Sequence, residues 1–331
     1  MSARGGVDLG GTKIQVVVVD DSNKVLGQAR RPTPHEGGPP DVANAIAETV
    51  REASAGAGVD PKALTGIGIG SPGEVEAGKG TVAHARNLPQ WDEPFPLAAA
   101  ISDEFGTRVA IGNDVQVGID GEYALGAGRP FNSILGVFWG TGVGGGIILD
   151  GKPWLGLGSA GEIGHMVVKL NGAPCPCGRR GCVEAYAGRA AMEAKARSLV
   201  DKGSKTDLFK IMEKVGRDRL SSGVWARALR RQDNMAVRLV DRAVEALGAG
   251  IASALNLLDV EAVVIGGGLG TRLGDRYVKR IERAMLPHLF ASERPPKVLL
   301  AELGDLGGAI GASLLVAEPK AAAAEAAAAG V

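Results

Sequence analysis

Residues 133–150 read SILGVFWGTGVGGGIILD. Gly140, Gly142 and Gly145 spell G-x-G-x-x-G, which in a dinucleotide-binding fold must open a helix. Beyond Gly146 the chain instead runs Ile147-Ile148-Leu149-Asp150-Gly151, an apolar run closed by an Asp-Gly turn. The glycines therefore join two strands, and the dinucleotide reading fails. Residues 7–20, VDLGGTKIQVVVVD, repeat the pattern: an apolar strand, a Gly-Gly-Thr turn, a β-branched strand and a closing aspartate. Backbone amides turned outward in such a turn, with the Thr12 hydroxyl beside them, hold phosphate oxygens, and Asp8 stands where it can take a hydrated Mg²⁺. For one such motif alone, an ordinary glycine hairpin turn is the better explanation. No Walker A pattern is present, since Lys13 follows Thr12 with the wrong glycine spacing. Two hairpins of this kind in one chain predict a duplicated fold with a nucleotide between its halves.

The chain has 331 residues, enough for two domains, and 37 basic residues balance 37 acidic ones. Neutrality signals neither a basic stripe for nucleic acid nor an acidic tail. The 51 glycines cluster after apolar runs, the habit of loops that approach phosphates. Residues 1–6, MSARGG, carry no apolar signal segment, and no apolar run nears the ~20 residues of a membrane span. A soluble, cytoplasmic protein with no membrane partner is expected.

Between the hairpins, a helix is expected over residues 41–55, then a strand over 64–70 opening into Ser71-Pro72-Gly73. Residues 86–91 read as a loop with Trp91 as an aromatic able to face solvent. A helix over 96–105 and a strand over 108–111 lead to Gly112-Asn113-Asp114 and a helix to about Leu125. Asp114, at the end of a strand, is placed either as a general base or as a helix N-cap. After residue 182, helices are expected over 183–202, 207–215 and 232–258, and a buried strand over 260–265. That strand runs into Gly266-Gly267-Gly268-Leu269-Gly270, a third glycine loop against which an adenine or ribose can lie. Helix 275–288, strand 297–301, helix 306–318 and the low-complexity tail 319–331 complete the chain.

Residues 160–184, AGEIGHMVVKLNGAPCPCGRRGCVE, hold His165 and all three cysteines, Cys175, Cys177 and Cys182. One imidazole and three thiolates form a closed four-ligand set, which Zn²⁺ takes when it is structural. Such a metal shapes a loop and does no chemistry. An odd number of cysteines also argues against a disulfide framework and for a reducing compartment.

Taken together in this order, DLGGTK (8–13), GIGIGSPG (66–73), NLPQW (87–91), ND (113–114), GTGVGGG (140–146), AGEIGH (160–165), CPCGRRGCVE (175–184) and IGGGLG (265–270) resemble the ROK family of sugar kinases and repressors, and within it the bacterial glucokinases. The resemblance covers residues 7–318. It implies an α/β, actin-like ATPase (ribonuclease H-like) duplicated two-domain fold with a zinc-bound loop. A smaller domain is expected over residues 1–115, completed by helix 306–318, and a larger one over 116–305 containing the zinc loop 160–184. The resemblance makes Asp114 the general base that takes the proton from the sugar 6-hydroxyl as that oxygen attacks the γ-phosphate of ATP. It gives sugar hydroxyls to Asn113, Glu162, His165 and Glu184, with Ser71, Gly73 and Asn87 nearby; His165 serves zinc and sugar together. It gives the ATP phosphates and Mg²⁺ to Asp8, Gly10, Gly11, Thr12, Lys13, Thr141 and Gly142, and adenosine to Gly266, Gly267 and Gly268. Losing a zinc thiolate is then expected to weaken sugar binding without altering the ATP site directly. One departure stands out: Gln90 occupies a place where relatives often carry glycine.

Three rival readings attach to the same residues. A kinase for N-acetylglucosamine, N-acetylmannosamine, mannose or fructose keeps most of the set. A polyphosphate-using glucokinase needs a basic groove, for which Arg179, Arg180, Arg230 and Arg231 are available. A sugar-sensing repressor needs a helix-turn-helix ahead of the first strand, and the chain is expected to leave no room for one. A homodimer or homotetramer is expected from the resemblance.

Overall fold

The computed structural model describes residues 2–317, so Glu318 and the tail 319–331 lie outside the described residues. The chain divides into two compact units, one up to Gly121 together with the segment from Asp305 onward, the other Glu122–Gly304. The division falls inside a helix, later than the boundary at 115/116 read from the sequence.

The first unit runs β1 (Ala3–Leu9), β2 (Ile14–Asp20), β3 (Val25–Arg31), α1 (Pro39–Ala57), β4 (Ile67–Ser71), a small hairpin of β5 (Glu74–Glu76) and β6 (Thr81–Ala83), α2 (Leu97–Phe105), β7 (Val109–Asn113) and α3 (Asp114–Leu125). Its sheet has the order β3-β2-β1-β4-β7, antiparallel from β3 to β1 and parallel from β1 to β7. Every residue of β2 is buried, as a β-branched run with α1 nearby demands. Two prolines open α1, where their missing N–H is harmless, and Gly58 ends it at φ 68°. The C-terminal helix Gly307–Leu314 returns to this sheet, and the Arg4 Nε donates to the Ser313 carbonyl at 3.1 Å.

The second unit runs β8 (Ile134–Trp139), β9 (Val143–Leu149), β10 (Lys152–Pro153), α4 (Glu184–Ala187), α5 (Arg189–Asp201), α6 (Leu208–Lys214), α7 (Ser222–Arg230), α8 (Asn234–Leu258), β11 (Ala262–Gly266), α9 (Gly267–Leu273), α10 (Asp275–Met285) and β12 (Lys297–Leu300). Its sheet order, β10-β9-β8-β11-β12, repeats the first with the same directions. The duplication expected from two glycine hairpins is thus a duplication of whole sheets. Asp233 caps α8 by accepting from the Ala236 N–H at 2.8 Å. The apolar face of α8, including Leu239, Val244, Leu247, Ile251 and Leu255, is buried in this unit's core.

Several elements differ from the sequence reading, among them the unread β5–β6 hairpin and the last helix, which ends at Leu314 and not at 318. The edge strand β3 went unread because VLGQARR lacks strict alternation. Helix α7 was missed as a short amphipathic stretch, although Ser221 caps it through the Val224 N–H. The helix expected over 183–202 is broken at Gly188, whose ψ of 129° is not helical. The third glycine run is not a loop: from Gly267 it is the first turn of α9.

Candidate active site

In the first unit the parallel strands β1, β4 and β7 end side by side. The register pairs Asp8 with Gly70 and Ser71 with Asn113, so Asp8, Ser71, Asn113 and Asp114 share the carboxyl edge of one sheet. That edge is where open α/β sheets receive ligands. The Asn113 side-chain oxygen accepts from the Val115 and Gln116 amides at 3.1 and 3.2 Å. Asn113 is therefore the helix cap, and Asp114 is the first helical residue, its carboxylate at the positive end of α3. Of the two roles read for Asp114, capping falls chiefly to Asn113, while the Asp114 carboxylate also accepts from the Val115 N–H at 2.9 Å.

The first glycine turn lies between β1 and β2 and closes with the Gly10 N–H donating to the Lys13 carbonyl at 2.9 Å. Thr33, which the sequence did not single out, braces it: its hydroxyl donates to the Gly10 carbonyl at 2.6 Å and its N–H to the Thr12 carbonyl at 3.4 Å. The Lys13 ammonium stands 3.4 Å from the Asp8 carboxylate. Burial raises the Asp8 pKa, and Lys13 opposes that shift. Against this turn lies the 87–91 loop. A Cβ on Gly11 would come within 2.7 Å of the Asn87 carbonyl, so only glycine permits that approach. Asn87 and Gly73 are exposed, while Ser71 is fully buried and its hydroxyl donates to the Pro72 carbonyl at 3.0 Å. Trp91 corrects the sequence reading: it is buried, and its indole N–H donates to the Val82 carbonyl at 2.9 Å. Gln90 has φ 48°, a left-handed conformation that favours glycine.

In the second unit Thr141 and Gly142 form the turn between β8 and β9, and Gly266 ends β11 beside Phe138 of β8. Gly267, at φ 78°, and Gly268 open α9. Arg189 was missed by the sequence reading, yet its guanidinium donates to the Thr141 hydroxyl at 2.6 Å and to the Leu220 carbonyl at 3.0 Å. Its pKa is lowered, chiefly by burial. An arginine directly after a glycine that breaks a helix was the available signal.

His165, Cys175, Cys177 and Cys182 converge, with one potential ligand atom from each all within 4.8 Å of one another. Cys175 Sγ is 3.7 Å from His165 Nδ1, and Cys177 Sγ is 3.8 Å from Cys182 Sγ. Those edges match a tetrahedron about an ion with bonds of ~2.3 Å to sulfur, and are far too long for a disulfide. The short turn Ile163–His165 is seated on β9, where a Cβ on Gly164 would meet the Val143 carbonyl at 1.9 Å. His165 turns its other nitrogen, Nε2, toward the Glu162 carboxylate at 3.8 Å. Glu184, two residues after the last cysteine, accepts from the Val143 N–H at 2.8 Å. The Cys/His loop is thereby tied to the second glycine turn.

The ROK family matches residues 4–319. The chain belongs to the ROK family. It is 33% identical over 318 residues to a glucokinase of Thermotoga maritima, covering 95% of this chain and 96% of that protein. An N-acetyl-D-glucosamine kinase of Salmonella newport is 29% identical, covering 94% of this chain and 98% of that protein. Among solved structures, a ROK family glucokinase from Streptomyces griseus in complex with glucose and AMPPNP superposes with a TM-score of 0.81 at 32% identity, covering 95% of this chain and 99% of that one. These relatives support the expected enzyme class, a sugar kinase and hence a transferase, and the two-domain fold. No helix among the described residues is long and apolar enough to cross a membrane.

Proposed function

We propose that this ROK protein transfers the γ-phosphoryl group of ATP to the 6-hydroxyl of glucose. The observation that carries the reading is the Asn113-Asp114 pair at the carboxyl edge of the first sheet, where Asn113 caps α3 and Asp114 presents a carboxylate. A carboxylate so placed removes the hydroxyl proton as the sugar oxygen attacks phosphorus, a contribution of roughly 10²- to 10⁴-fold. The remaining acceleration comes from positioning and from amides that stabilise charge on the phosphoryl oxygens. We assign sugar hydroxyls to Asn113, Glu162, His165 and Glu184, with Asn87, Ser71 and Gly73 as further sugar-binding candidates. The phosphates go to the turns at Gly10–Lys13 and Thr141–Gly142, with Arg189 beside the second, and adenosine goes to Gly266–Gly268. Magnesium, when bound, neutralises phosphate charge, and the Asp8 carboxylate fits it through water. Zinc fits the Cys3His set, supplies rigidity there and leaves no open position for catalysis. Three unbridged cysteines suit the reducing cytoplasm, and we place the protein there, as a homodimer or homotetramer.

A kinase for an N-acetylated hexosamine is the second reading, favoured by the Salmonella relative. A panel of glucose, mannose, fructose, N-acetylglucosamine and N-acetylmannosamine, each with ATP and with polyphosphate, decides. The proposal expects the highest kcat/KM for glucose with ATP; a higher value for an acetylated sugar moves the substrate, and no turnover with any pair rejects the kinase.

A further inference from the structure

At the opposite end of α9 from Gly267 and Gly268, a cavity of about 190 Å³ opens among α7, α8, α9 and α10 of the second unit. Four arginines line it, Arg230 from α7, Arg272 from α9, and Arg276 and Arg280 from α10, over a floor that includes Leu229 and Tyr277. Arg280 is held by Asp241, 2.7 Å away. Among the described residues no carboxylate pairs with Arg230, Arg272 or Arg276. The Tyr277 ring lies under two of the guanidiniums, 6.0 Å from Arg276 and 5.0 Å from Arg280, which limits where their forks can point.

A formally neutral chain has no compositional reason to gather four cations in one concavity. Like charges brought together repel, and a solvated basic face spreads along one helix, whereas these four converge from three. The pocket contains arginines and no lysine, and the planar guanidinium fork matches phosphate oxygens two at a time. We propose that this pocket binds a phosphate-bearing anion, at a site separate from the phosphates of the proposed reaction. The shared chemistry is the phosphate group, and its source is either a polyphosphate chain or a phosphorylated sugar.

The test is isothermal titration of the full-length protein with its nucleotide and sugar sites filled by AMPPNP and glucose, at matched magnesium. Tripolyphosphate stands for the chain and glucose 6-phosphate for the sugar. Wild-type protein is expected to bind at least one of them saturably, and the tighter of the two names the source. Arg272→Ala/Arg276→Ala is expected to weaken that binding at least tenfold while leaving kcat for glucose unchanged, and Arg272→Gln/Arg276→Gln to do the same with less change of surface. Absence of binding by both anions overturns the proposal, as does affinity retained in two double variants shown to be folded by circular dichroism.

Discussion

At the scale of single residues, chemistry and conformation separate cleanly. Asp114→Asn keeps the shape and the helix-end position but removes the base, so kcat is expected to fall roughly 10²- to 10⁴-fold with the sugar KM little changed. Steady-state kinetics check this, and near-normal turnover would rule out the base. Gln90 tests conformation alone. At φ 48° glycine is the less strained residue, so Gln90→Gly is expected to raise stability by about 0.5–1 kcal/mol in denaturant melts, partly offset by the freer unfolded chain. Asp120 supplies a pH dependence. Burial raises its pKa to about 6, despite a hydrogen bond from the Gln116 amide. A carboxyl whose folded pKa lies above its unfolded value stabilises the fold below the unfolded value, and that stability is lost as pH rises through the folded pKa. Asp120→Asn keeps an acceptor for Gln116 and carries no charge. It is expected to be more stable than wild type at pH 8, by about 1–3 kcal/mol, with the gap closing below about pH 4. A gap independent of pH in melts across that range would reject burial as the cause.

Elements show where sequence reasoning reaches and where it stops. The two glycine hairpins, the strand leading to Asn113 and the Cys/His loop were legible because each is written in contiguous residues whose chemistry is local: alternation, turn glycines, ligand types. Burial of Trp91 was not legible, since an aromatic in a Pro-Gln loop gives no sign of which side the sheet lies on. Helicity at Gly267–Leu273 was hidden for a related reason, because glycine-rich turns and glycine-rich helix starts share a composition. Thr33 and Arg189 act on glycine turns far away in sequence, so only the fold brings them there. The tie from Glu184 to Val143 belongs to the same class. Cys177→Ser is expected to lower zinc content, measured by elemental analysis, and to raise KM for both sugar and ATP, because the strand of chain that ends in Glu184 also fixes the second glycine turn. An increase confined to the sugar would show that Glu184 holds its place without the metal.

On the scale of the whole molecule, the two sheets repeat one topology, yet the chain is threaded through them unequally. The second unit is continuous, Glu122–Gly304, and carries its own buried core around α8 together with the complete Cys/His set. The first unit is discontinuous and depends on the C-terminal helix, whose backbone lies so close to the sheet that a Cβ on Gly68 would meet the Ala312 carbonyl at 1.8 Å. Arg4 and Arg108 reinforce that return by donating to the Ser313 and Val316 carbonyls at 3.1 and 2.9 Å. An independent core and closed metal site suffice for a domain to fold alone, whereas a sheet face stripped of its helix leaves buried apolar surface in water. The fragment 122–304 is therefore expected to melt cooperatively and to retain one zinc per chain, and the fragment 1–121 to lack a cooperative transition by circular dichroism. Supplying residues 305–331 joined to the latter by a flexible linker is expected to restore its transition. A fragment 1–121 that melts cooperatively unaided would show that the returning helix is an accessory to the first sheet and not part of its core.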